Sequence, residues 1–68
     1  MSEQWVVEYN VVDGRKQFHV DELKRTMDIN MGFFKRNEIC PWTAIRFFDN
    51  REDASKLARI LMNEDDAG

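Results

Sequence analysis

The sequence predicts a small α+β domain with the element order β-β-α-β-α. Three observations carry this prediction. Two runs of alternating apolar residues flank Asp13-Gly14, an aromatic run covers residues 42–48, and an amphipathic helical pattern follows Asn50. Elements in this order favour a mostly antiparallel three-stranded sheet packed against one or two helices.

The first two strands are predicted over residues 5–12 and 15–20. Asp-Gly between two alternating runs is a strong hairpin signal, because a type I′ turn needs positive φ at both central residues. A two-residue turn fixes the register, so Tyr9 should face Phe18 and Glu8 should face His19. Apolar residues then meet apolar residues on one face, and polar residues meet on the other.

The first helix is predicted over residues 21–29, with an extension to residue 36 left open. Asp21 is the expected N-cap. Four apolar residues share one face of such a helix: Leu23, Met27, Met31 and Phe34.

The third strand is predicted over residues 42–48, and strict alternation places large side chains on both of its faces. Asp49 and Asn50 then end the strand, and either can cap the following helix, whose first turn holds Glu52 and Asp53. The helical stripe itself comprises Ala54, Leu57, Ala58 and Leu61.

We expect one domain over residues 1–63 and an acidic flexible tail over residues 64–68. The third strand is expected to pair with the first. One face of the sheet should stay open, lined either by Arg46 with Trp42 and Phe48 or by Ile45 with Phe47.

Composition places the chain among soluble folded domains, with 43% hydrophobic and 34% charged residues. The net charge of −3 is too small to indicate a DNA mimic or a strongly basic nucleic-acid binder. A single cysteine excludes an internal disulfide and fits a reducing cytoplasm. No apolar run approaches the roughly 18 residues of a membrane span, so we expect a cytoplasmic protein with no membrane association.

The residues with catalytic potential are few. His19 opposite Glu8 is interpreted as an exposed cross-strand charge pair, and Cys40 as a buried structural thiol. One histidine and one cysteine do not make a metal site, and the three glycines form no phosphate loop. We therefore expect no catalytic residues, no metal, no cofactor and no enzymatic activity.

Residues 32–36 are the most suggestive stretch. Phe33 and Phe34 cannot both face inward on a helix, since neighbouring side chains lie about 100° apart. One interpretation is a core Phe34 beside a peripheral Phe33. The others are a protein-binding patch, or aromatic stacking on nucleic acid with Lys35 and Arg36 on phosphate.

The favoured hypothesis is a small non-enzymatic interaction module, an accessory regulator or inhibitor of a larger protein, of the kind that phages and mobile elements encode. A homodimer is the other protein partner considered. The residues expected to contact the protein partner are Phe33, Phe34, Lys35, Arg36, Trp42 and Arg46. The alternative is a nucleic-acid binder that uses Arg15, Lys24, Arg25, Lys35 and Arg36.

Overall fold

The computed structural model describes residues 3–67, with side chains through Glu64. It confirms the α+β class and the predicted element order. The elements are β1 (Trp5–Val12), β2 (Arg15–Glu22), α1 (Leu23–Lys35), β3 (Thr43–Phe48) and α2 (Arg51–Ala67).

The hairpin has the predicted turn and the predicted register. Asp13 and Gly14 have φ angles of 53° and 78°, so both central residues adopt the left-handed conformation that a type I′ turn requires. Tyr9 pairs with Phe18, and their ring centroids lie 6.2 Å apart. β2 runs two residues further than predicted, to Glu22.

β3 pairs antiparallel with β1, as expected, and gives the strand order β2-β1-β3. The strict alternation predicted for this strand is wrong. A bulge beside Val7 and Glu8 inserts Ile45, so Ala44 and Phe47 share one face while Arg46 lies on the other. Neither predicted lining of the open face is therefore correct.

α2 covers one face of the sheet and builds the core. The side-chain oxygen of Asn50 accepts a hydrogen bond from the backbone N–H of Asp53 at 2.8 Å, so Asn50 is the N-cap. Ala54 and Ala58 are buried against Val7, and small side chains let the helix approach the strand closely. Larger, partly buried side chains surround this centre: Trp5, Val20, Phe48, Leu57 and Leu61.

α2 continues to Ala67, whereas the sequence indicated a flexible tail from residue 64. Neither proline nor glycine interrupts residues 51–67, so no residue in this stretch breaks the helix. Gly68 lies outside the described residues.

α1 begins at Leu23, and the predicted Asp21 cap is wrong. Asp21 belongs to β2, and Glu22 precedes the helix without a side-chain capping bond. At the other end the helix reaches Lys35. Asn37 has a φ of 59° there, and the N–H of Glu38 donates to the carbonyl of Phe33 at 2.9 Å, which is a Schellman ending.

Candidate functional site: an apolar cleft between α1 and β3

An open cleft of about 670 Å³ lies between α1 and β3. Of its lining side chains, most are apolar. None of the described residues of β1 or β2 lines it, so it lies at the β3 edge of the sheet. The lining comprises Leu23, Thr26, Met27, Asn30, Met31, Phe33, Phe34, Glu38, Cys40, Ala44 and Phe47.

α1 supplies one wall of this cleft because it stays close to the sheet only at its beginning. The backbone N–H of Leu23 donates to the carbonyl of Gln4 at 2.9 Å, and Thr26 is buried. Further along, Met27 is 62% exposed and Phe34 is 78% exposed. The apolar stripe predicted on this helix therefore exists, but its outer half stays mostly exposed.

The two phenylalanines have the opposite placement from the first interpretation. Phe34 is exposed, and Phe33 is the half-buried one, so a core Phe34 with a peripheral Phe33 is wrong. The helical Schellman ending turns the chain at this point. It brings the Arg36 guanidinium over the Phe33 ring, 4.7 Å from its centroid.

β3 supplies the other wall through Ala44 and Phe47. Phe47 is 56% exposed. The bulge at Ile45 puts these two side chains on the same face, which strict alternation does not predict. The predicted contact residues did not include Phe47, Met27 or Met31, although Phe47 was one of the residues considered for the open face. For the two methionines the available signal was an amphipathic stripe larger than so short a chain can cover.

Several predicted contact residues lie outside the cleft. Arg46 is on the α2 side, with its guanidinium 5.3 Å from the centroid of the Phe48 ring. Trp42 stacks on His19 with ring centroids 5.3 Å apart. Lys35 and Arg36 flank the cleft without lining it, and the Arg36 Nε donates to the Glu38 carboxylate at 3.4 Å.

The five basic residues of the nucleic-acid alternative fall in three places. Arg15 follows the hairpin turn, Lys24 and Arg25 begin α1, and Lys35 and Arg36 end it. About 15 Å of helix separates the two ends, at 1.5 Å per residue. Arg25 and Arg36 each contact a carboxylate, at 3.6 Å and 3.4 Å, so part of this charge is already neutralised.

A second polar cluster lies on the sheet below Trp42. Glu8 faces His19 as predicted, but it is only 4% exposed, so the pair is not the exposed one expected. Burial raises the pKa of the Glu8 carboxyl, His19 opposes that rise, and Asp21 adds to it.

The ligating atoms of Glu8, His19 and Asp21 lie within 4.8 Å of one another. Asp21 also has two nitrogen neighbours, since Arg25 Nε lies 3.6 Å from its carboxylate and His19 Nε2 lies 3.5 Å away, and the arginine is a cation. Ion pairing therefore accounts for this cluster, and we describe it as a charge network.

Cys40 lines the cleft and is half-buried, whereas a buried structural thiol was predicted. The other side chains that line the cleft are mostly apolar, and none of them is cationic.

No helix among the described residues is long and apolar enough to cross a membrane. No protein-family model, curated protein or solved structure matches this chain. The cleft is therefore the feature of this molecule that bears on its function.

Proposed function

We propose that this protein is a small non-enzymatic interaction module that binds a protein partner, either a different protein or a second copy of itself, through the α1–β3 cleft. The observation that carries the proposal is the continuous apolar lining, in which Met27, Met31, Phe34 and Phe47 are all exposed. Exposed apolar side chains gathered into a groove are typical of protein-binding surfaces.

The distribution of the other exposed apolar residues supports this choice of surface. Most of those described lie between Met27 and Phe47, in α1, the following loop and β3, and four of them line the cleft. Ile29, Ile39 and Ile45 belong to the same stretch but do not line it. The remainder stand at the hairpin tip, in Val11 and Val12, and on the outer face of α2, where scattered single residues of this kind are normal.

The arrangement of charge favours a protein partner over a nucleic acid. The basic residues are separated, and two of the five are paired with carboxylates, so they do not form a continuous track for a phosphate backbone. A short apolar helix or strand of a partner protein is the ligand that the cleft best fits. An accessory regulator or inhibitor of that partner is the role we propose.

Three single variants test the proposal. Phe34→Glu and Phe47→Glu put a charge into the cleft, and Ile60→Glu puts the same charge on α2 at a residue that is 53% exposed, close to the 56% of Phe47. The wild type and the three variants are each used as bait in a pull-down. A protein captured by the wild type is kept as a candidate only if Ile60→Glu also captures it and neither cleft variant does. Each candidate is then purified and titrated against the wild type by calorimetry.

We expect direct binding that both cleft variants weaken at least tenfold and that the control leaves unchanged. If neither a second copy nor any purified protein binds in a way that depends on the cleft, the proposal is wrong. A labelled single-stranded oligonucleotide is titrated in parallel at low salt. Binding lost in Lys35→Glu would favour the nucleic-acid alternative instead.

A further inference from the structure

We propose that the occupant of the cleft is a second copy of this chain, so that the protein forms a twofold-symmetric dimer across the α1–β3 surface. This inference rests on the proposed function, because it names the partner of the same cleft. Three independent properties of the molecule point to it: its excess surface, its free sheet edge and the charge of its cleft.

The first property is the accessible surface. The chain exposes 5496 Å², whereas a globular monomer of 8.1 kDa is expected to expose about 4,500 Å². Its radius of gyration is 12.8 Å, against about 11 Å expected for a compact chain of 68 residues. The excess of about 1,000 Å² is close to the roughly 800 Å² that each partner buries in a standard protein interface.

The shape explains where this excess comes from. The molecule is flat, measuring 38 × 36 × 11 Å, and a flat body exposes more surface for its mass than a compact one. A second copy placed against β3 would cover the cleft, which lies at the same edge.

The second property is the edge itself. Within the described residues β3 pairs with β1 on one side and with no strand on the other. The opposite edge, β2, begins with Arg15 and Lys16, and charged residues of this kind discourage strand addition. β3 carries a single charged residue, Arg46, whose guanidinium lies over Phe48 on the α2 side.

A twofold axis perpendicular to the sheet beside β3 pairs this strand antiparallel with its own copy and keeps the α1 sides of both copies on the same face. The sheet would then have six strands. Phe47 and the apolar wall of α1 would meet the equivalent residues of the other copy. One symmetric contact would thus pair the free edge of β3 and cover the open cleft.

The third property is charge. In an isologous contact each charged group approaches a surface that carries the same charges, so an unpaired charge would repel its copy. Glu38 is the acidic side chain among the described residues that line the cleft, and Arg36 is bonded to it at 3.4 Å. The cleft can therefore face its own copy without like-charge repulsion.

Sedimentation equilibrium tests the inference directly, from low micromolar to submillimolar protein. The expected wild-type mass rises with concentration from 8.1 kDa to twice that value. Phe34→Glu and Phe47→Glu should raise the dissociation constant at least tenfold, while Ile60→Glu should leave it unchanged. Circular dichroism shows whether each variant is folded, and Met27→Lys replaces any that is not.

A wild type that remains monomeric throughout overturns the dimer. A dimer that both cleft variants leave intact also overturns it, because the contact must then lie elsewhere. If the wild type is monomeric but a purified protein binds the cleft, the dimer is wrong while the proposed function stands. If neither forms, both proposals fail.

Discussion

The two faces of the sheet show what a small chain can and cannot cover with its own residues. On one face α2 brings Ala54 and Ala58 against Val7, and large side chains close the periphery. On the other, α1 contacts the sheet at its beginning and then leaves Met27 and Phe34 exposed. An amphipathic stripe thus predicts which side of a helix prefers burial, but it does not tell what will bury it.

The largest effect is expected from a substitution on the face of the sheet that α2 covers. Ala58→Asp places a carboxylate in the buried contact between α2 and the sheet, and burying a charged group there costs several kcal/mol. A 68-residue domain has about that much stability in total, so the variant should be unfolded by circular dichroism at room temperature. Ile60→Asp on the same helix is the control and should remain folded. If Ala58→Asp were as stable as Ile60→Asp, the core would not include position 58.

The helix that closes this face depends on its cap. Asn50→Ala removes the acceptor of the Asp53 N–H and should lower the free energy of unfolding by about 1 kcal/mol. Chemical denaturation measures the change. Asn63→Ala, at an exposed position of the same helix, should change stability by less than half as much. Equal effects at the two positions would mean that Asn50 does not cap α2.

Glu8 lies on the face of the sheet opposite α2 and gives the folded state a pH dependence. Its pKa is raised above the ordinary value of 4.5 by burial, with His19 opposing and Asp21 adding to the rise. Between 4.5 and the raised value the folded state holds a proton that the unfolded state has released. Stability therefore falls as pH rises through this window and stays lower above it.

Glu8→Gln should remove that loss. The variant should gain stability relative to wild type as pH rises from below 4.5 to neutral, which thermal melts at a series of pH values can measure. Glu64→Gln, at an exposed carboxylate, is the control and should follow the wild-type profile. A Glu8→Gln profile parallel to wild type would contradict a raised pKa.

The smallest effect is expected on the open face. Met27→Gln changes a side chain that the monomer leaves exposed, so its unfolding free energy should stay within about 0.5 kcal/mol of wild type. The measurement is made at a protein concentration where the wild type is monomeric, since association would add stability. A loss of 2 kcal/mol or more would mean that the monomer itself buries this part of α1.

The sequence was sufficient for the elements whose signals are local. Asp13-Gly14 specifies its own turn, and the two-residue loop then determines every pair from Val12–Arg15 to Val7–Val20. The Asn50 cap is equally local. These features follow from residues close together in the chain.

The cleft could be predicted only in part, because it depends on contacts between distant residues. The stripe on α1 was visible, and Phe34 was a candidate contact. The Ile45 bulge was not visible, because it arises from the pairing of β3 with β1, and it moved Phe47 to the cleft and Arg46 away from it.

The most direct test of the central claim is an isotope-filtered NOE measurement on a mixture of labelled and unlabelled protein, which detects contacts only between copies. The account predicts intermolecular NOEs from the methyl groups of Met27 and Met31 to the aromatic protons of Phe34 or Phe47. It predicts none at Ile60. Intermolecular NOEs confined to the α2 surface, or none at a concentration where sedimentation shows a dimer, would contradict an interface at the α1–β3 cleft.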